Sequence, residues 1–235
     1  MSKIKLFCIP HAGGSAAAYS KWQNYIDPAI EVCPVELAGR GRRFNEGCYK
    51  DISEAVEDIY NIIKEDLNQE YAFLGHSMGS LIAYELTRYI IKLKGRTPEH
   101  IFFSGRKAPD VLYENNSIHK LSDEKLKNKS LEFSGTPREV LRNEYMCRAF
   151  LKVLRQDFKI CETYTYKNEK LKLNCNISIL NGDKDNININ HIALWKKHTS
   201  RSCHIYSFKG GHFYIEDNME RIASIINSTL LQSIN

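Results

Sequence analysis

The sequence predicts an α/β fold: a mainly parallel sheet with helices on both faces and a helical insertion. Short apolar runs alternate with stretches of helical periodicity, the order of βαβ units. Tyr71-Ala72-Phe73-Leu74 runs into Gly75-His76-Ser77-Met78-Gly79, where a helical pattern begins at once. Over 107–170 strand signals vanish and charge rises. At 235 residues the chain suits one domain spanning 1–235, with 107–170 as the insertion.

The elements follow in order. Ile4-Lys5-Leu6-Phe7-Cys8-Ile9 reads as a buried strand stopped by Pro10. His11-Ala12-Gly13-Gly14-Ser15-Ala16 is a Gly-rich loop, expected to open a helix carrying Tyr19 and Trp22. Residues 31–37 form a second strand, and Ala38-Gly39-Arg40-Gly41-Arg42-Arg43-Phe44 the loop after it. The cluster Arg40 to Arg43 is suited to binding an anion or to pairing with nearby acids in a solvated loop, and the second is favoured. Ile52, Val56, Ile59, Ile63 and Leu67 predict an amphipathic helix over 51–67.

Leu81, Ile82, Leu86, Ile90 and Ile91 continue the helix after Ser77, and Ile101-Phe102-Phe103-Ser104-Gly105 is another strand. Helices are expected around 122–133, 137–150 and 151–166, and the length of this insertion favours a lid over simple sheet cover. Strand 176–180 leads into Asn181-Gly182-Asp183-Lys184-Asp185; a helix over 191–198 and a strand over 203–208 follow. Lys209-Gly210-Gly211-His212-Phe213 is a loop, and Ile222, Ile225, Ile226 and Leu230 mark the last helix.

Composition narrows the function. Hydrophobic content of 43% and charged content of 26% are ordinary for a globular protein. No apolar run reaches membrane-spanning length and no signal-peptide pattern opens the chain, so a cytoplasmic protein without membrane association is expected. The 7 cysteines include no C-x-x-C, which argues against zinc or a redox pair. The net charge of +5 is dispersed, which argues against nucleic acid and suits an acidic protein partner. Neither a P-loop nor a G-x-G-x-x-G is present, so no nucleotide cofactor is expected. A monomer is expected, because no coiled-coil or long exposed edge pattern occurs.

Strand, sharp turn and helix around Gly75-His76-Ser77-Met78-Gly79 are the context of a nucleophile elbow, with Ser77 at the carboxyl edge of the sheet. Gly75 and Gly79 leave room where a side chain would meet the neighbouring strand and helix. An acyl-transfer serine also needs amides for the oxyanion, and Ala12 in the first loop and Met78 after the serine are the candidates. The acid and base follow the serine in this fold. Among His191, His198, His204 and His212, His212 alone follows a strand end and a Gly-Gly pair. Asp185 and Asp183 both follow the strand ending at Leu180; Asp185, deeper in the turn, is preferred.

With these residues placed, the chain resembles the stand-alone (type II) thioesterases of nonribosomal peptide and polyketide synthetases. The resemblance rests on Pro10-His11-Ala12-Gly13-Gly14-Ser15 with Trp22, Leu37-Ala38-Gly39-Arg40-Gly41-Arg42-Arg43-Phe44, Gly75-His76-Ser77-Met78-Gly79 and Ser104-Gly105-Arg106-Lys107-Ala108-Pro109. It extends to Gly135-Thr136-Pro137, Gln156-Asp157-Phe158 with Glu162-Thr163-Tyr164, and Gly210-Gly211-His212-Phe213. Ala38 and Asn186 stand where that family often has proline. The resemblance implies an α/β-hydrolase fold, a Ser77, Asp185 and His212 triad, Ala12 and Met78 as oxyanion donors, and a lid. It also implies removal of stalled or wrongly loaded acyl groups from the phosphopantetheine of acyl- or peptidyl-carrier domains, with no cofactor of the enzyme's own. Rivals are a carboxylesterase or chain-releasing fatty-acyl thioesterase on the same fold and, more remotely, a non-catalytic binding protein.

Overall fold

The computed structural model describes residues 3–111, 117–132, 138–167 and 171–232. Its strands are β1 (Ile4–Ile9), β2 (Ile30–Pro34), β3 (Tyr71–His76), β4 (His100–Ser104), β5 (Asn176–Gly182) and β6 (Cys203–Phe208). They form one sheet in the order β2-β1-β3-β4-β5-β6, each neighbouring pair parallel. Alternate residues face different cores. Ile4, Leu6, Cys8, Ala72, Leu74 and Phe102 pack on one side, and Phe7, Ile9, Tyr71, Phe73, Ile101 and Phe103 on the other. Both faces are thus covered, which is why the strands read as continuous apolar runs.

The helices are α1 (Ile52–Ile63), α2 (Met78–Lys92), α3 (Asp123–Glu132), α4 (Arg138–Arg142), α5 (Glu144–Thr163), α6 (Ile189–Ala193), α7 (Tyr214–Asp217) and α8 (Met219–Leu231). Asp51 caps α1 by accepting from the Ser53 and Glu54 amides at 2.9 and 3.0 Å. Val56, Ile59 and Ile63 bury against the sheet, and the chain winds on to Asn68 as a 3-10 turn. On the opposite face Ile222, Ile226 and Leu230 of α8 join Trp22 and Tyr19. Helix 191–198 is realised as α6 followed by a 3-10 turn, with Trp195 stacked on Phe103 at 4.0 Å.

Two expectations need correction. No α-helix carries Tyr19 and Trp22; two 3-10 turns, Ala16–Tyr19 and Trp22–Asn24, do so. Tyr19 Oη is tied to the Ile9 carbonyl at 3.0 Å, and the Tyr19 and Trp22 rings pack with centroids 5.7 Å apart. In the insertion, the helix boundary falls at Asn143 and not at 150–151. The Asn143 side chain accepts from the Met146 amide at 3.0 Å, and nothing at 150–151 interrupts the helix. Leu126, Leu141, Cys147, Leu151, Leu154 and Phe158 give α3, α4 and α5 a small core of their own. Gly135-Thr136-Pro137 lies outside the described residues.

Candidate active site

Ser77 sits between β3 and α2 with φ 55 and ψ −111. That region is strained for a residue with a side chain, by about 1–3 kcal/mol. Close packing enforces it. A Cβ on Gly75 would lie 2.3 Å from the Gly79 carbonyl oxygen, and one on Gly79 only 2.0 Å from that of Ile9. The Ser77 amide donates to the Ser104 carbonyl at 2.8 Å, and Ser80 Oγ bonds the Gly75 and Ser104 carbonyls at 2.7 and 3.0 Å. The turn is therefore bolted to the end of β4 and carries Ser77 Oγ upward at the carboxyl edge of the sheet.

Loops after β5 and β6 bring the remaining polar groups to it. His212 Nε2 is 3.0 Å from Ser77 Oγ, and His212 Nδ1 is 2.8 Å from Asp185 Oδ2. Asp185 is nearly enclosed, at 6% side-chain exposure, whereas His212 at 32% is open to an incoming group. Asp183, the other acid considered, turns away: its Oδ1 accepts from the Gly210 amide at 2.9 Å and so braces the histidine loop. Gly182 permits the approach, since a Cβ there would lie 2.5 Å from the Gly210 and Gly211 carbonyls. His191, His198 and His204 are not part of this relay; His198 bonds Asp110 and Tyr84.

Ala12 lies in the loop after β1 and Met78 is the first residue of α2, both at the same sheet edge. Neither amide meets a protein acceptor among the described residues. Burial, then the charges of His212 and Arg40, push His11 down to about 4. Burial likewise holds His76 well below its ordinary value, with His212 and His11 adding to the effect. His76 Nδ1 meets Ser104 Oγ at 2.9 Å, and that hydroxyl meets Tyr214 Oη at 2.6 Å. His212 thus lies beside two imidazoles that burial keeps neutral, and its Nδ1 faces Asp185.

The arginine cluster divides. Arg43 pairs with Asp58 at 2.7 Å and with Glu46, as a loop pairing with nearby acids should. Arg40, however, is buried and not solvated, and it pairs with Asp157 of α5. No sequence spacing connects residues 117 apart, so that pairing was invisible before folding. The backbone N–H of Ala38 donates to Tyr49 Oη at 3.1 Å, a bond a proline there would lack. A separate surface cleft of about 330 Å³ beside α5, lined by residues including Cys48, Lys152 and Gln156, contains none of Ser77, Asp185 and His212.

An all-parallel sheet with a strained serine turn and a histidine and acid from later loops defines a hydrolase of the α/β-hydrolase type. The model of the thioesterase domain family matches residues 4–230, and the chain belongs to that family. It is 38% identical over 233 residues to linear gramicidin dehydrogenase LgrE of Brevibacillus parabrevis, covering 97% of this chain and 88% of that one. The dehydrogenase in that name is said of that protein; here the loop after β1 carries Gly13-Gly14. The crystal structure of ClbQ, from the colibactin NRPS/PKS pathway, superposes with a TM-score of 0.92 at 32% identity, covering 98% of each chain. BorB, the type II thioesterase of the borrelidin biosynthetic cluster, superposes at 0.89 with 33% identity, covering 97% of this chain and 93% of that one.

Proposed function

We propose that this thioesterase clears stalled or wrong acyl groups from the phosphopantetheine thiol of carrier domains in nonribosomal peptide or polyketide synthesis, with Ser77, His212 and Asp185 as its triad. The observation that carries the chemistry is the relay Ser77 Oγ–His212–Asp185, at 3.0 and 2.8 Å. His212 Nε2 takes the Ser77 proton as Oγ attacks the thioester carbonyl, while Asp185 holds the Nδ1–H tautomer and stabilises the imidazolium. The Ala12 and Met78 amides receive the oxyanion. The tetrahedral species collapses by breaking the C–S bond. A thiol's pKa of about 8.5 makes it an undemanding leaving group, so the imidazolium proton neutralises it as it departs. Water, deprotonated by His212, then attacks the acyl-Ser77 ester and releases the acid.

Membership of the thioesterase family and the likeness to BorB support the carrier-bound substrate, and the helical segment α3–α5 fits a lid over the site. The partner is an acyl- or peptidyl-carrier domain, met in the cytoplasm by a monomer of this chain. The test loads a carrier with acetyl- and longer acyl-phosphopantetheine and follows its deacylation by intact-protein mass spectrometry, beside acyl-CoA and acyl-ester controls. Wild type is expected to unload the carrier faster than it cleaves the free thioesters, with Ser77→Ala and His212→Ala inactive. A carrier that stays loaded while free esters are cleaved would point to a carboxylesterase.

A further inference from the structure

The turn that carries Ala12 is gripped by two side chains from distant parts of the chain. Arg40 Nη1 and Nη2 donate to Asp157 Oδ2 and Oδ1 at 2.6 and 2.8 Å, a bidentate pair with 6% and 1% side-chain exposure. Each partner also reaches the turn. The Gly13 amide donates to Asp157 Oδ2 at 2.7 Å, and Arg40 Nη1 donates to the Gly14 carbonyl at 3.1 Å. The Gly14 amide closes the turn on the His11 carbonyl at 2.9 Å, so Ala12 lies inside a loop fastened at three points. Gly13 has φ +76, and a Cβ there would come within 3.0 Å of Phe150 and Leu154, both on α5. The loop is therefore referenced to α5 as well as to the sheet.

Stability alone does not account for this arrangement. A buried ion pair roughly repays its own desolvation, and an apolar pair of similar volume often serves a fold as well. What apolar residues cannot do is hold the N–H of Gly13 and the carbonyl of Gly14 in fixed directions. We propose that Arg40 and Asp157 are positioning residues for the oxyanion hole, acting through the Gly13-Gly14 turn to aim the Ala12 amide. They touch no reacting atom. The inference rests on the roles given above to Ser77 and Ala12. An oxyanion donor must stand about 2.7–3.1 Å from where the charged oxygen forms, so a turn that drifts loses stabilisation in the transition state and little in substrate binding.

Replacing one partner alone strands a buried charge, so the informative variant is Arg40→Met/Asp157→Leu. It would be compared with wild type by thermal unfolding, by kcat and KM on an acyl thioester, and by inhibition with an acyl trifluoromethyl ketone. In that adduct Ser77 Oγ bonds the carbonyl carbon, the proton passes to His212 and the carbonyl oxygen becomes the oxyanion. The expected result is a folded protein with kcat about 100-fold lower, KM within about threefold of wild type, and ketone affinity weakened in parallel with kcat. Wild-type kcat in the folded double variant overturns the proposal. So does a loss confined to KM with ketone affinity intact.

Arg40→Lys keeps the buried positive charge but cannot serve both Asp157 oxygens and the Gly14 carbonyl together. A kcat at least about tenfold lower with KM held supports the clamp, and an unchanged kcat overturns it, even if the double variant fails to fold. Ser77→Ala in the same assay separates the two levels. Full activity there removes the nucleophile assignment itself, whatever the clamp variants do.

Discussion

The imidazole rings of His76 and His212 lie 5.1 Å apart, although His76 is buried and His212 is open to solvent. A histidine so close to the proposed base is safe only while it stays neutral. Burial, the largest cause, keeps it so.

That enforced neutrality has a pH signature. His11 and His100 are both pushed down to about 4, chiefly by burial, then by His212 and Arg40 for the first and by His204 for the second. In the unfolded chain they titrate near their ordinary value of about 6.5, so between the two values the unfolded state binds more protons. Stability therefore rises with pH across this window. It is complete above about pH 6.5 and falls as pH drops towards 4, by about 3 kcal/mol for each fully expressed histidine. Urea unfolding at pH 7.5, 6 and 5 should show the decline, and His100→Gln should make it shallower while His11 still contributes. A slope unchanged in that variant would rule out His100 as a contributor.

The two acids after β5 make opposite predictions. Asp185→Asn leaves the geometry but favours the wrong tautomer of His212, and should lower kcat by about 10³–10⁴-fold. Asp183→Asn loses only the charge on a brace to the Gly210 amide and should cost less than about tenfold. Steady-state hydrolysis of an acyl thioester checks both. Equal losses would mean the acids share the role.

The elbow glycines admit no substitute. Gly79→Ala would drive a methyl group to 2.0 Å from the Ile9 oxygen, and Gly75→Ala to 2.3 Å from that of Gly79. Since these are backbone atoms, of the end of β1 and the first turn of α2, neither can step aside. Each variant should lose more than about 4 kcal/mol or fail to accumulate as folded protein. Soluble yield and circular dichroism report on this directly.

A second hydroxyl–imidazole–carboxylate chain serves the fold. Tyr84 Oη meets His198 Nδ1 at 3.1 Å, and His198 Nε2 meets Asp110 Oδ1 at 2.8 Å. Burial pushes the Tyr84 hydroxyl well above its ordinary range, which withholds it as a nucleophile. Asp110→Ala should lower stability by about 1–3 kcal/mol and leave acyl hydrolysis per folded molecule within about twofold of wild type. A collapse of kcat in a stably folded variant would contradict this.

Much of the molecule is readable from the chain because its signals are local. Each strand is an apolar run, and Ser77, Asp185 and His212 each follow a strand end in the order the fold requires. Depth in the turn favours Asp185 over Asp183, and it is Asp185 Oδ2 that lies 2.8 Å from His212 Nδ1. Local reading fails where contacts are long-range. Tyr19 and Trp22 look helical until the sheet claims them as single turns. Arg40 resembles its neighbours, exposed Arg42 and half-buried Arg43, and nothing near it announces a carboxylate from α5. The same holds for the neutral state of His76 and His11, which depends on burial by residues remote in the chain.

The sheet order has a consequence in time. Strands β5 and β6 lie together at one edge and are the last strands of the sheet to be synthesised. A nascent chain extended through α5 already contains Ser77, Ala12 and the Arg40–Asp157 pair, but neither the proposed acid Asp185 nor the proposed base His212. Whatever part has folded by then is a scaffold without hydrolytic power. On the reading proposed above, the relay is complete only once β5 has brought Asp185 and β6 has brought His212 to the sheet edge.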